Sequence, residues 1–444
     1  MSNRFAIALG AAALCMVAFG SVGTAGPLPG PVTDDDFYQF PEALVGLGRD
    51  LFFDPVLSGN KNIACATCHH PTLGTGDALS LSIGEGGAGL GALRKVMAGN
   101  IPKALIPRNA PALFNLGAKE FTVMFHDGRT AKDHRAMFGI RMPPGRTLER
   151  PVISPLAAQN ILPILSPDEM AGQPGENDIA DAVAAERIHG PDGAWGLLAN
   201  RVRKIPEYNA RFSDVGIEDI HITDIGTALS AFIGMEFRAT DSPFDRFLAG
   251  EDTMSADALD GMDLFYGKAR CSTCHSGPFQ TDHEFYAIGL PQLGPGKNGN
   301  VTYADTGHGL VSKYLDDMYR FRTPTLRNVT RTAPYGHNGA YSDLEDMVRH
   351  HLDPVGSLAK YDRSAAKLPA DMVADDWMAM DDFDEVMRIA EAIEIPDVSL
   401  DDVEIAKIMA FLQSLTDPSA GSSGLGLPQS VPSGLPLDLV QPPS

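Results

Sequence analysis

Cys65-Ala66-Thr67-Cys68-His69 and Cys271-Ser272-Thr273-Cys274-His275 are two copies of one short pattern, C-x-x-C-H. The pattern attaches a c-type haem. Its two thiols form thioethers with the vinyl groups along one porphyrin edge. The adjacent imidazole then lies under the iron as proximal ligand. A zinc site needs four Cys or His ligands grouped together, and here the cysteines fall in two distant pairs. A thiol redox pair does not require His after both motifs. Two complete motifs therefore predict two covalently bound haem c groups. Cys65, Cys68 and His69 hold one; Cys271, Cys274 and His275 hold the other.

The sequence around the motifs repeats. Gly48-Arg49-Asp50-Leu51-Phe52-Phe53 precedes the first, and Gly261-Met262-Asp263-Leu264-Phe265-Tyr266 precedes the second. Leu44, Leu47 and Leu51 recur at helical spacing, as do Leu259, Met262 and Phe265. Pro41 suits a first helical turn and Ser255 a cap. Amphipathic helices are predicted again at 224–237 and 403–415. A helix before each haem motif and a helix closing each unit predict a mainly α fold. It has two cytochrome c-like haem domains with long Pro/Gly-rich loops. The predicted division is a signal peptide over 1–25, an N-terminal haem domain over 26–240, a C-terminal haem domain over 241–416 and a disordered tail over 417–444. Gly84-Glu85-Gly86-Gly87-Ala88-Gly89 matches G-x-G-x-x-G, but no strand–helix context surrounds it. It reads as a flexible loop, not a dinucleotide site.

Composition agrees with an exported globular protein. The chain has 444 residues, 57 Asp plus Glu against 35 Lys plus Arg, and a net charge of −22. That acidity argues against nucleic acid as partner, because phosphates call for a basic face. Five cysteines are too few for a disulfide scaffold. Arg4, the apolar run from Ala6 to Val22 and the small residues to Gly26 read as a cleaved secretory signal. Its removal takes the fifth cysteine, Cys15. No later segment is long and apolar enough for a membrane span.

Several further segments carry a resemblance. They are Arg322-Thr323-Pro324-Thr325-Leu326-Arg327-Asn328-Val329, Thr332-Ala333-Pro334-Tyr335, His337-Asn338-Gly339, Arg108-Asn109-Ala110-Pro111 and Phe125-His126-Asp127-Gly128-Arg129. With the two haem motifs, the chain resembles the bacterial di-haem cytochrome c peroxidases, a family that includes the MauG-type proteins. The likeness covers roughly residues 40–416. It implies periplasmic reduction of hydrogen peroxide to water. The N-terminal haem binds peroxide. The C-terminal haem relays electrons from a small donor protein, a cytochrome c or a cupredoxin. A homodimer is the assembly it implies. In the family a Gln and a Glu, ten residues apart, serve the peroxide pocket. Here Gln159 and Glu169-Met170 match, with Pro163 between. The resemblance makes Glu169 the acid/base and Gln159 a hydrogen-bonding orienter. By itself, Ser166-Pro167-Asp168-Glu169 would read as a helix start.

Three positions depart from the family pattern. Ile83-Gly84 is followed by Glu85 where many members carry a His that caps the peroxidatic iron. The first haem is therefore expected to be open without prior reduction, with His70 and His126 as candidate substitutes. His126 itself stands where relatives have an interhaem Trp. The family's Met ligand to the second iron, a Tyr in the MauG type, falls on His351. Met347 is the alternative on the same helix face. Relatives also hold one calcium ion, which maps to the Asn109 side chain and the carbonyls of Thr332 and Pro334. The competing functions are a MauG-like oxidase acting on a partner protein and a non-catalytic di-haem electron carrier.

Overall fold

In the computed structural model the described residues are 27–97, 102–297, 303–369, 377–421 and 426–438. The expected signal peptide lies outside them. The fold is mainly helical, as the periodicity predicts. Its strands are two or three residues long and form three small antiparallel sheets. Among the described residues no helix is long and apolar enough to cross a membrane.

Five helices frame the two halves: α1 Glu42–Phe53, α2 Ile222–Glu236, α3 Ala256–Tyr266, α4 Leu344–Leu352 and α5 Asp402–Ser414. Their ends follow local chemistry. Pro41 is the N-cap of α1. The Ser255 hydroxyl accepts from Ala258 N at the start of α3. Asp401 and Glu404 close a capping box on α5.

The repeat seen in the sequence is a repeat in packing. Helix α1 crosses α2 at Gly48, where a Cβ would lie 1.9 Å from the Ala228 carbonyl oxygen. Helix α3 crosses α5 at Gly261, where a Cβ would lie 1.9 Å from the Lys407 carbonyl oxygen. In each pair the aromatic residues one turn on lock the crossing. Phe52 and Phe53 meet Phe232, and Phe265 and Tyr266 meet Phe411. Each half thus buries one aromatic-rich helix pair next to its haem motif in an apolar cluster of its own, and Phe279, Ala420 and Val431 from later in the chain join the first cluster.

The halves are joined by a buried ion cluster. Arg108 Nη1 lies 2.6 Å from Asp127 Oδ2, and its Nε donates to Asp305 Oδ2 at 2.6 Å. Burial alone would raise the Asp127 carboxyl, but Arg108 and then Arg129 outweigh it and hold the pKa at about 2. Asp305 is lowered in the same way, against its own burial, by Arg108. Both carboxylates are thus depressed below their unfolded value of about 3.9. Their stabilising contribution is complete above pH ~4 and is lost as pH falls toward ~2. The thermal midpoint, followed by circular dichroism, is expected to drop through that window. Asp305→Asn should lower it already at neutral pH, through a loss of stability of the ~3–5 kcal/mol typical of a buried charge left without its partner. A midpoint flat from pH 5 to 2 in the native protein would contradict this.

The C-terminal segment departs from the expected disordered tail. Its described residues run back over the N-terminal half. Ala420 and Val431 are buried in that half's apolar cluster, with Leu435 and Leu437 packed against it. Ser433 Oγ donates to Asp54 Oδ1 at 2.7 Å, and Asp438 accepts from Thr67 Oγ1 at 2.7 Å inside the first haem motif. A Pro-rich segment has no core of its own. It can still lie extended on another core, because proline has already restricted the unfolded chain.

Candidate active site

The first C-x-x-C-H motif opens the wall of a partly open cavity. Residues Cys65–Cys68 form one short helical turn, and His69 N closes it on the Cys65 carbonyl. His69 Nδ1 hydrogen-bonds the Thr75 carbonyl oxygen at 3.0 Å. Burial pushes the Cys65 and Cys68 thiols up to about 12, and burial also lowers His69. The result is two neutral thiols beside a neutral imidazole whose Nε2 is not engaged by that bond. This donor set fits one thioether-linked haem, with the imidazole tautomer fixed by the carbonyl behind it.

The same cavity gathers the residues that motif matching singled out separately. Gln159, Pro163, Glu169 and Met170 line it together with Cys65, Cys68 and His69. Gln159 ends a short helix, Pro155–Gln159, capped by Ser154. Its Oε1 is buried and lacks a hydrogen-bond partner among the described residues. Glu169 lies in a single π-helical turn, Pro167–Ala171, whose N-cap Ser166 Oγ accepts from Glu169 N at 3.4 Å. The helix-start reading of this segment and its place on the cavity wall are both correct. π-turns recur at functional sites because they re-aim a side chain.

Gly84 packs against that turn. A Cβ on it would lie 2.0 Å from the Asp168 carbonyl oxygen. Glu85 N donates to the same carbonyl at 2.9 Å. The Glu85 side chain turns elsewhere: Oε1 accepts from Asn60 Nδ2 at 2.8 Å and from Asn62 Nδ2 at 2.7 Å. Glu85 is not among the residues lining the cavity. The glycine-rich loop expected to be flexible is a pinned two-residue hairpin. Gly87–Ala88 pairs with Lys95–Val96, and the Arg94 guanidinium donates to the carbonyls of Ile83, Gly84 and Gly89.

The two histidines considered as substitute caps are engaged differently. His70 is buried outside this cavity, with Nδ1 on Thr72 Oγ1 at 2.7 Å. His126 does line it, but its Nε2 is 3.2 Å from the Asn109 carbonyl oxygen. Burial and then Arg108 push His126 down to about 4, so it is neutral at physiological pH. Its own carbonyl accepts from Arg322 N of the C-terminal half at 2.8 Å. His126 therefore stands at the junction of the halves.

The second motif repeats the local logic. His275 Nδ1 bonds the Gln280 carbonyl oxygen at 3.1 Å. Burial, then the nearby His351, pushes His275 down to about 4. On α4, His351 Nδ1 bonds the Met347 carbonyl oxygen at 2.8 Å. His350, its neighbour, has both nitrogens taken: Nδ1 by Tyr341 OH at 3.0 Å and Nε2 by the Ile288 carbonyl oxygen at 2.8 Å. Cys271 is pushed up to about 12 by burial, and Cys274 is raised for the same reason. These residues would fit a second thioether-linked haem, with His275 as one imidazole donor and His351 near it.

The three positions expected to bind calcium are less conclusive. Asn109 Nδ2 donates to the Leu79 carbonyl oxygen at 2.8 Å, and Thr332 Oγ1 donates to the Val329 carbonyl oxygen. They offer neutral oxygens only. Among the described residues no group of three His, Cys, Asp or Glu side chains could hold a metal ion. Calcium normally takes six to eight oxygens, including carboxylates, and these three residues supply no carboxylate.

Comparison with known proteins follows this geometry. The profile of the family described as "Di-haem cytochrome c peroxidase" matches residues 42–253. Cytochrome-c peroxidase IdrP1 of Denitromonas iodatirespirans is 30% identical over 372 residues, which is 77% of this chain and 82% of the relative. The chain belongs to the di-haem cytochrome c peroxidase family. Methylamine utilization protein MauG of Methylorubrum extorquens is 31% identical over 316 residues, or 69% of this chain and 68% of that protein. A solved MauG-like protein associated with microbial copper homeostasis is 24% identical. It covers 91% of this chain and 97% of its own, with a TM-score of 0.56, and supports the fold. Membership of the di-haem peroxidase family implies two haem c groups and an oxidoreductase that acts on peroxide.

Sequence reasoning missed three charged residues near the site. Arg129, cited only as part of a motif, lies 3.4 Å above the Phe125 ring and on the cavity wall. Arg322 is half-buried, with its Nε donating to the Phe125 carbonyl. Lys297 reaches the first cavity from the far half of the chain. Arg129 and Arg322 fall inside segments that carry the family resemblance, and Lys297 falls in none.

Proposed function

We propose that this protein is an exported, periplasmic cytochrome c peroxidase that reduces hydrogen peroxide to two waters. Residues 26–240 form the peroxidatic haem domain and residues 241–416 the electron-transfer domain. Cys65, Cys68 and His69 hold the first haem. Cys271, Cys274, His275 and His351 hold the second. The observation that carries the reading is the convergence of His69, Gln159 and Glu169 on one cavity.

A haem held by Cys65, Cys68 and His69 would supply a redox-active iron and a route for electrons. The chain does the rest. Glu169 removes the proton from the inner oxygen and returns it to the outer one, which then leaves as water. Gln159, whose Oε1 has no other partner, orients the peroxide. Leu113, Leu156, Leu229 and Ile233 exclude bulk water and strengthen every polar contact inside.

The Glu85 side chain is bonded to Asn60 and Asn62 rather than aimed at the iron. A haem bound here would therefore lack a cap from position 85 and would rest open in the oxidised protein. The resting absorbance and electron spin resonance spectra should contain a high-spin ferric component without prior reduction. A purely low-spin resting spectrum would contradict this.

The net charge of −22 favours a basic donor. Peroxide-dependent oxidation of reduced cytochrome c should proceed and should slow as ionic strength rises. No oxidation would sink the peroxidase reading. A salt-independent rate would remove the basic donor. A MauG-like reaction on a partner protein is the second reading, carried by the likeness to MauG. His351 stands where that branch is expected to have Tyr and His126 where relatives have Trp, which argues against a strict MauG-type reaction, while the chain equally lacks the Met ligand and the capping His expected of the peroxidases.

A further inference from the structure

Lys297 belongs to the C-terminal half by sequence, yet it lines the cavity of the first haem motif with Gln159, Glu169 and Arg129. The other two cations on that wall are already matched. Arg108 is paired with Asp127 and Asp305, and Arg129 with Asp127. Lys297 makes no ion pair among the described residues. The charged groups it feels are Arg129, Glu169, Arg108 and Asp127, and burial followed by Arg129 lowers its pKa. A lysine is costly to place in such surroundings, and an unmatched cation in a largely apolar cavity attracts an anion strongly.

We propose that Lys297 makes this cavity an anion site, its ammonium holding small monoanions of the hydroperoxide and azide class opposite Glu169. A residue of the C-terminal half thereby completes the site of the N-terminal half. The proposal rests on reading the cavity as the peroxide site. When the O–O bond breaks, both bonding electrons leave with the outer oxygen. That oxygen has its own proton and gains the one carried by Glu169, and it departs as water. The ammonium stabilises the negative charge that builds on it before the proton arrives. The inner oxygen becomes the second water by taking two electrons from the donor protein and two protons from solvent.

The test is ligand affinity, read from the haem absorbance of the oxidised holoprotein. Azide is the charged probe and imidazole the neutral one. Lys297→Met should weaken azide by about tenfold and leave imidazole unchanged, and Lys297→Arg should restore azide to within about threefold of the native protein. Unchanged azide affinity in Lys297→Met overturns the proposal. So does an equal loss of azide and imidazole, which would mean a general disturbance of the pocket. A native haem that takes neither ligand overturns the open-iron reading and this proposal with it. Normal turnover in Glu169→Gln beside a selective azide loss in Lys297→Met would refute the acid/base role and leave the anion site standing.

Discussion

Glu169→Gln is expected to lower peroxide turnover by about 10²–10⁴-fold while both haems stay attached. The substitution keeps the shape of the side chain and removes its ability to take up and return a proton. The surroundings favour a clean test. The main chain of the turn is held by Ser166, by Gly59 N on the Met170 carbonyl at 2.7 Å, and by Glu85 N on the Asp168 carbonyl. None of these contacts uses the Glu169 carboxylate, so the turn should survive the change. Turnover measured with a saturating reduced donor separates this from a defect in electron supply. Unchanged turnover would remove Glu169 from the chemistry and return it to its role as a residue of a capped turn.

His351→Ala is expected to convert the second haem from low spin to high spin and to slow electron delivery to the first. The argument is a shared geometry. His69, His275 and His351 each bond a main-chain carbonyl through Nδ1, at 3.0, 3.1 and 2.8 Å. That bond fixes the tautomer with its lone pair on Nε2, the atom that binds iron. His350 lacks this freedom because both of its nitrogens are engaged. Met347 contributes its carbonyl to His351 and packs its side chain against two apolar clusters, one of the C-terminal half and one shared by both halves. Met347→Leu should therefore leave the spectrum alone. A His/His pair should also give a lower potential than the His/Met pair of many relatives, and His351→Met should raise it. No spectral change in His351→Ala would refute the ligand assignment.

Local chemistry explains what was legible before the structure. The haem motifs are contiguous, and the repeat around Gly48 and Gly261 is a packing rule written into one helical turn. Caps such as Ser255 and Asp401 act within four residues. Glu169 was legible only through the family likeness, because a Glu three residues after Ser166 satisfies a helix start equally well. The rest depends on contacts between distant segments, which leave no periodic trace. The pairing of Glu85 with Asn60 and Asn62 needs the fold of a loop. The Arg108 cluster needs residues 127 and 305 brought to one point. The C-terminal segment looked disordered because its composition reports that it has no core, not that it can borrow one. Lys297 had no motif around it, and only the docking of the two halves brings it to the cavity.

The most direct test of a peroxide site that is open at rest is an anaerobic titration of the oxidised, never-reduced protein with hydrogen peroxide. Haem absorbance is followed throughout, and reduced cytochrome c is added at the end. One equivalent of peroxide should change the haem spectrum without any prior reductant, and the donor should then restore it with two electrons per peroxide. A spectrum that ignores peroxide until the protein has first been reduced would contradict the account.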